Sequence, residues 1–266
     1  MINGDGAEEY GRVWEYANAL RTYNPGSTVI VVVDNVENPP PIFQRMYVCF
    51  KACRVGFLAG CRPVIRVDGC HLKGSYPGMI LVAVSMDANN NIYHVVWAVV
   101  EVENSQSWTW FLTLLMEDLE KVDGEGLTIT SDRQKGLLEA LNRVTPKAEI
   151  RFCVDHRGKK KAVNLALKTC SCKSWQLTGI PCPHATFCIR EQRDEVLDYV
   201  DEFYTKETYL KAFQHPIAAM PGYGDWEKVD LTPPAPPPYK KLPGRPKLKK
   251  RRRESGDGSS GQTKRL

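Results

Sequence analysis

The sequence predicts a mixed α/β domain followed by a small metal-held module. Three observations point to this. Three β-rich runs are succeeded by alternating helix-period and strand-length segments, four metal-type ligands stand within fifteen positions downstream, and positive charge is concentrated in the tail. At 266 residues the chain suffices for one good core and a small satellite.

The elements follow in order. Glu8–Thr22 carries Tyr10, Val13, Trp14, Ala17 and Leu20 at helical spacing, and Asn24-Pro25-Gly26 stops it. Thr28–Val33 is a β-branched run and reads as a strand. After the Asn38-Pro39-Pro40-Pro41 spacer, Ile42–Phe57 predicts a second helix, with Phe43, Met46, Tyr47 and Phe50 on one side. Val64–Val67, Met79–Ser85 and Ile92–Val102 read as three strands, the last two joined by a turn of Asp and Asn residues. Ser105–Lys121 predicts a helix with Ser105 as N-cap and a stripe of Trp108, Phe111, Leu112, Leu115 and Leu119. Leu127–Thr130 is a strand, Gln134–Val144 a helix and Glu149–Val154 a last strand. Three antiparallel strands, then helix, strand, helix, strand, is the order of a ribonuclease H-like core.

Beyond Gly158 the character changes. Val163–Leu167 predicts a strand into a cysteine cluster and Pro183–Arg190 a short helix, so the module reads as ββα. Glu195–Phe203 and Lys206–Phe213 are further helical candidates. Thr232–Pro238 is proline-rich and stiff, and the Gly/Ser-rich end predicts disorder. The expected organisation is a helical and strand flank over 1–60, a truncated core over 61–158 and the metal module over 159–192. A helical extension over 193–231 and a linker with basic tail over 232–266 complete it.

Bulk properties exclude several classes. No run approaches the roughly 20 apolar residues of a membrane span. The polar, acidic start offers no secretory signal, so thiols are expected to stay reduced inside the cell, and nine cysteines do not suit a disulfide framework. No small-molecule substrate is indicated. From Tyr239 onward eleven basic residues face Glu254 and Asp257, leaving 25 basic against 29 acidic residues in the body. The body is therefore slightly acidic, and DNA contact is expected from the tail.

Cys170-Ser171-Cys172 and Cys182-Pro183-His184 form CxCx9CxH. Two short-range pairs separated by a loop suit a tetrahedral ion, because each pair is locally positioned and the loop brings them together. Side chains alternate along a strand, so the CxC must lie on a bend that turns both sulfurs inward. The second pair opens a helix, whose N-terminal amides favour thiolate charge. Four protein ligands leave no open position, so a zinc ion here would be structural.

Thr169–Ala185, TCSCKSWQLTGIPCPHA, resembles the SWIM zinc finger of plant Mutator-like element transposases. Upstream, Ile65–Gly74 (IRVDGCHLKG) and Ile129–Gly136 (ITSDRQKG) resemble the two aspartate motifs of that family, and Asn104–Trp108 with Phe111 resembles the segment between them. The resemblance spans about residues 8–253. It implies a finger engaged in DNA or protein contact and a catalytic aspartate pair, Asp68 and Asp132.

In a ribonuclease H-like sheet the strands ending at Asp68 and Asp132 are neighbours, about 4.8 Å apart, so the pair could share a Mg²⁺ weakly. Transposition chemistry needs two metals, which the family holds with a third acid on a helix after a C-x2-H motif. Here that motif is Cys153–His156, yet only thirteen residues separate His156 from Cys170, and Arg157–Leu167 contains no acid. Asp155 would lie two strand spacings, roughly 10 Å, from Asp68. The resemblance therefore implies a transposase-derived protein without catalysis.

In the tail, Pro243–Lys247 resembles an AT-hook core, with Arg245 and Lys247 directed at a narrow minor groove. Lys249, Lys250, Arg251, Arg252 and Arg253 form a nuclear-import type cluster that also suits phosphate. The expected location is the nucleus, with DNA or protein partners. Two alternatives stand beside this reading: a residual metal-dependent transposase or nuclease using Asp68 and Asp132, and a protein-binding adaptor without DNA contact.

Overall fold

The computed structural model describes residues 6–34, 40–72, 76, 78–131, 134–152 and 161–238. Its elements begin with α1 (Gly6–Gly11), α2 (Val13–Tyr23), β1 (Thr28–Asp34), β2 (Ile42–Cys49) and α3 (Lys51–Gly60). Then come β3 (Val64–His71), β4 (Met79–Met86), β5 (Ile92–Val100), α4 (Ser105–Asp118), β6 (Thr128–Ser131), α5 (Lys135–Val144) and β7 (Glu149–Phe152). Among these residues no helix is long and apolar enough to cross a membrane.

The seven strands form one sheet in the order β1-β2-β5-β4-β3-β6-β7. Strands β5, β4 and β3 are antiparallel neighbours, and β6 and β7 are added in parallel, with Ile65 opposite Ile129 and Ile129 opposite Ile150. This is the ribonuclease H-like arrangement expected from element order. The flank supplies two more strands of the same sheet: β1 pairs with β2, and β2 with β5 through Met46–Val48.

A helix over Ile42–Phe57 does not form, and the reason is burial on both faces. That stretch divides into β2 and α3. Phe43, Met46 and Val48 face a cluster with Val13, Ala17 and Leu20 of α2, whereas Tyr47 and Cys49 face the main core under α4. A strand covered on both sides loses its two-residue alternation, and its apolar positions mimic a helical stripe.

The main core packs α4 and α5 against the sheet. Trp108, Phe111, Leu112, Leu115 and Leu119 are buried as their spacing predicted, together with Leu137 and Leu141 of α5. The N-cap of α4 is Asn104 rather than Ser105, because its side chain accepts from the Gln106 and Ser107 amides, both at 2.9 Å. At one end of this core Asp118 is buried but paired, accepting from Tyr47 Oη at 2.7 Å and facing Arg54 at 3.3 Å.

The finger follows as β8 (Val163–Asn164), β9 (Thr169–Cys170), α6 (Ser174–Thr178) and α7 (Pro183–Glu191). The expected ββα outline thus gains one turn of helix between the ligand pairs. Over 193–231 helix is sparse: Val196–Tyr199 is a 3-10 turn, and α8 (Lys206–Ala212) is the one α-helix among the described residues there.

Most of this C-terminal stretch is a strap laid back over the core. Helix α8 lies on α3 so closely that a Cβ on Gly56 would meet the Ala212 carbonyl at 2.1 Å, and one on Gly60 the Ala212 amide nitrogen at 2.4 Å. Tyr93 Oη donates to the Ala212 carbonyl at 3.0 Å. Asn24 accepts from the Ala218 amide at 2.9 Å, Lys228 pairs with Glu15 at 3.0 Å, and Trp14 Nε1 donates to the Thr232 carbonyl at 3.2 Å. Ala235 then forms a parallel bridge with Ile42, donating to the Pro41 carbonyl at 2.7 Å and accepting from the Phe43 amide at 2.9 Å. Within Pro233–Pro238 only Ala235 possesses an N–H, and it is spent on this bridge.

Candidate metal centre and the carboxylate end of the sheet

Local chain geometry explains how the four zinc-type ligands meet. Cys170 ends β9, and its carbonyl accepts from the Lys173 amide at 2.8 Å, closing a four-residue turn whose last residue, Lys173, has φ of 63°. That left-handed residue reverses the chain after Cys172, which is the bend a CxC pair requires. Helix α6 then ends at Gly179, with φ of 69°, a conformation glycine adopts without strain. Cys182 is the N-cap of α7, Pro183 opens the helix, and His184 lies in its first turn.

The ligand atoms of Cys170, Cys172, Cys182 and His184 all lie within 4.8 Å of one another. His184 Nδ1 is 3.7 Å from Cys182 Sγ and 4.0 Å from Cys170 Sγ. Zinc bond lengths set tetrahedral edges of about 3.6–3.8 Å, so the donor set fits this ion in chemistry and in spacing. Cys170 and Cys182 are buried, and His184 is exposed. Burial pushes the Cys170 thiol up to about 11. Burial acts upward on Cys172 too, but the Ser174 amide and the neighbouring Cys170, Cys182 and His184 bring it down to about 7. Three sulfurs this close compete for charge, and a cation among them would relieve the competition.

A small apolar cluster backs the ligands: Trp175, Ala185 and Ile189 are buried against Cys170 and Cys182. Gln176 Oε1 accepts from the Cys170 amide at 3.1 Å, and the Cys172 amide donates toward Cys170 Sγ at 3.5 Å. Cys188 is half-buried on α7 outside the ligand group.

The carboxylate pair is described on one side only. Asp68 lies within β3, three residues before its end, because pairing with β4 carries the strand past the expected stop at Asp68-Gly69 to His71. It is exposed, with Oδ1 accepting from the Gly69 amide at 2.9 Å and Oδ2 3.6 Å from Arg66. On the neighbouring strand the description reaches Ser131, and Asp132 lies outside it, as do Cys153, Asp155 and His156. The basic-tail residues Arg245, Lys247, Lys249, Lys250, Arg251, Arg252 and Arg253 lie outside it as well. Glu103 is a carboxylate that sequence reading did not single out. It accepts from Trp108 Nε1 at 3.2 Å and lies against Gly69, where a Cβ would meet its Oε1 at 3.2 Å. Asp68 and Gly69 alternate across the strand, so Glu103 approaches the face opposite to that of Asp68.

Comparison with protein families gives the same two parts in the same order. Residues 64–160 match the profile of the MULE transposase domain, and residues 156–186 that of the SWIM zinc finger. The chain carries a MULE transposase domain joined to a SWIM zinc finger. No curated protein was found to match it. The transposase domain begins with β3 and so contains Asp68, and the SWIM finger contains all four ligands of the cluster. The two matches adjoin, overlapping over residues 156–160.

Proposed function

We propose that this chain is a transposase-derived, zinc-binding module of the nucleus that does not cut DNA. The supporting observation for zinc is the Cys3His group, four donors of one tetrahedral set within 4.8 Å. The ion is structural: it fastens β9 to the start of α7 and has no position left for substrate. Metal analysis of the purified chain is expected to give one zinc per chain, abolished by Cys172→Ser. A metal-free protein with a folded finger would overturn this reading.

The support for loss of catalysis is the short spacing before the finger: thirteen residues separate His156 from Cys170, and Arg157–Leu167 contains no acid. No length remains between the parts for a helix carrying a third acid, and Asp68 and Asp132 by themselves would hold at most one Mg²⁺ loosely. Arg66 beside Asp68 weakens such a site further by offsetting its charge. The finger meets DNA or a protein partner, and the tail, through Arg245, Lys247 and the Lys249–Arg253 run, supplies salt-sensitive phosphate and minor-groove contact.

The residual-enzyme reading predicts nicking of supercoiled DNA in Mg²⁺ or Mn²⁺ that Asp132→Asn abolishes. The non-catalytic reading predicts none from either protein. Deleting Lys240–Arg253 separates the remaining possibilities: DNA binding is lost if the tail carries it, whereas an adaptor retains its protein partner unchanged.

A further inference from the structure

Arg62 connects the metal loop to the transposase domain. It stands between α3 and β3, six positions before Asp68, and its own backbone is pinned: its carbonyl accepts from Ser85 Oγ at 3.2 Å. The carbonyl of the next residue, Pro63, accepts from the Thr128 amide at 2.8 Å. From this fixed base the half-buried guanidinium reaches out of the core. Nη1 donates to the Leu177 carbonyl at 2.6 Å, Nη2 lies 3.9 Å from Asp201, and the group stacks 5.0 Å over the Tyr204 ring and 5.3 Å over Phe203.

Leu177 belongs to α6, the turn that joins the two ligand pairs. Three successive carbonyls at its end are held from outside the finger: Leu177 by Arg62, Thr178 by the Tyr204 hydroxyl, and Gly179 by the Asp201 amide at 2.9 Å. A Cβ on Gly179 would fall 1.8 Å from Arg62 Nη2, so glycine is needed here for the approach of the arginine as well as for its φ of 69°. Asp201 and Tyr204 lead directly into α8, which lies on α3, the helix preceding Arg62. Contacts therefore close a ring: α3, Arg62, the metal loop, the strap, α8 and back to α3.

We propose that Arg62 is a positioning residue for the zinc site, and that through this ring zinc loading stabilises the α3–α8 contact at the edge of the main core. The proposal rests on the zinc reading above. Its logic is linkage: if the core holds the ligand loop in its binding geometry, metal bound by the loop must hold the core contact in return. Supporting groups around a zinc site commonly alter metal affinity by 10–100-fold, and a charge-assisted bond to a carbonyl suits the lower end of that range.

The test uses the full chain as wild type, Arg62→Ala, Tyr204→Phe and Cys172→Ser. Zinc affinity is measured by competition with a chromophoric chelator, and amide hydrogen exchange across α3 is compared in zinc-loaded and chelated protein. Zinc is expected to slow exchange in wild-type α3. Arg62→Ala is expected to bind zinc about tenfold more weakly and to lose the zinc-dependent slowing, while its chelated exchange stays near wild type. Tyr204→Phe, which removes one hydroxyl, should show the same pattern at about two- to fivefold, and it serves if Arg62→Ala does not fold. Equal faster exchange with and without zinc would reduce Arg62 to a static support and overturn the proposal, as would unchanged affinity and slowing. Wild-type protein that binds no zinc would instead defeat the zinc reading itself, and Cys172→Ser marks that baseline.

Discussion

The transposase domain and the finger bury apolar surface on different scales. Among the described residues the main core gathers 25 buried ones from sheet and helices, with Trp108, Phe111, Leu112 and Leu115 fully enclosed. The finger's cluster has five, and two of them, Cys170 and Cys182, are ligands; Trp175, Ala185 and Ile189 remain. Even with the partly buried Val163, Leu165, Val196 and Tyr199 beside them, so few apolar side chains cannot offset the conformational entropy of ordering about thirty residues. On the zinc reading proposed above, one part depends on packing and the other on coordination, so they should fail under different insults.

The largest effect tests this directly. Chelation, or Cys172→Ser, removes a binding free energy that in structural zinc sites is ~10–16 kcal/mol. Far-UV circular dichroism should change modestly while exchange protection over 163–191 collapses, and that over β4 and β5 persists. Simultaneous collapse of both would end the distinction. Conversely, Trp108→Ala empties the centre of the core, where the side chain is 0% exposed, and should cost ~3–5 kcal/mol. The thermal midpoint should fall by ~10 °C with zinc stoichiometry unchanged.

How far the sequence disclosed this arrangement differs between the same two parts. Cys170, Cys172, Cys182 and His184 meet because they are close in the chain, so spacing alone announced them. The strands and helices from Val64 to Phe152 were legible because most have one buried face, and β5, covered on both, is a β-branched run bounded by a clear turn. Strand β2 was not, since α2 covers one of its faces and the main core the other. The strap was equally hidden. Asn24 and Ala218 are 194 positions apart, Trp14 and Thr232 218 apart, and each contact is a backbone carbonyl or amide meeting a polar side chain. Arg62, an ordinary basic residue in sequence, acquires its place only through Leu177, 115 positions away.

Smaller effects sharpen the boundary between the parts. Gly56→Ala places a methyl against the Ala212 carbonyl and Tyr93 Oη, both 2.1 Å from its Cβ, and should cost ~1–3 kcal/mol by lifting α8 from α3. Denaturant midpoints of wild type and variant measure it. Asn104→Ala removes the cap of α4 and should cost ~1 kcal/mol with no change in zinc affinity. Thiol labelling needs no substitution. In the zinc-loaded protein, where the finger cysteines are held as ligands, exposed Cys70 should react well before Cys61, whose thiol burial and then Asp87 push up to about 12 and which holds too little thiolate at pH 8 to compete. Its rate should rise steadily with pH above 8 without levelling off by pH 10, and early labelling of Cys61 would show that α3 opens readily.

The bridge between Ala235 and Ile42 has a consequence for how this protein behaves among its own copies. An open stretch of strand backbone is a template on which another chain can grow, and here the start of β2 already has its donor and acceptor engaged, by a segment whose prolines admit no further ladder. A polypeptide trimmed before Thr232 would bare that stretch, and the first sign of the loss would be turbidity on storage rather than a lower melting point.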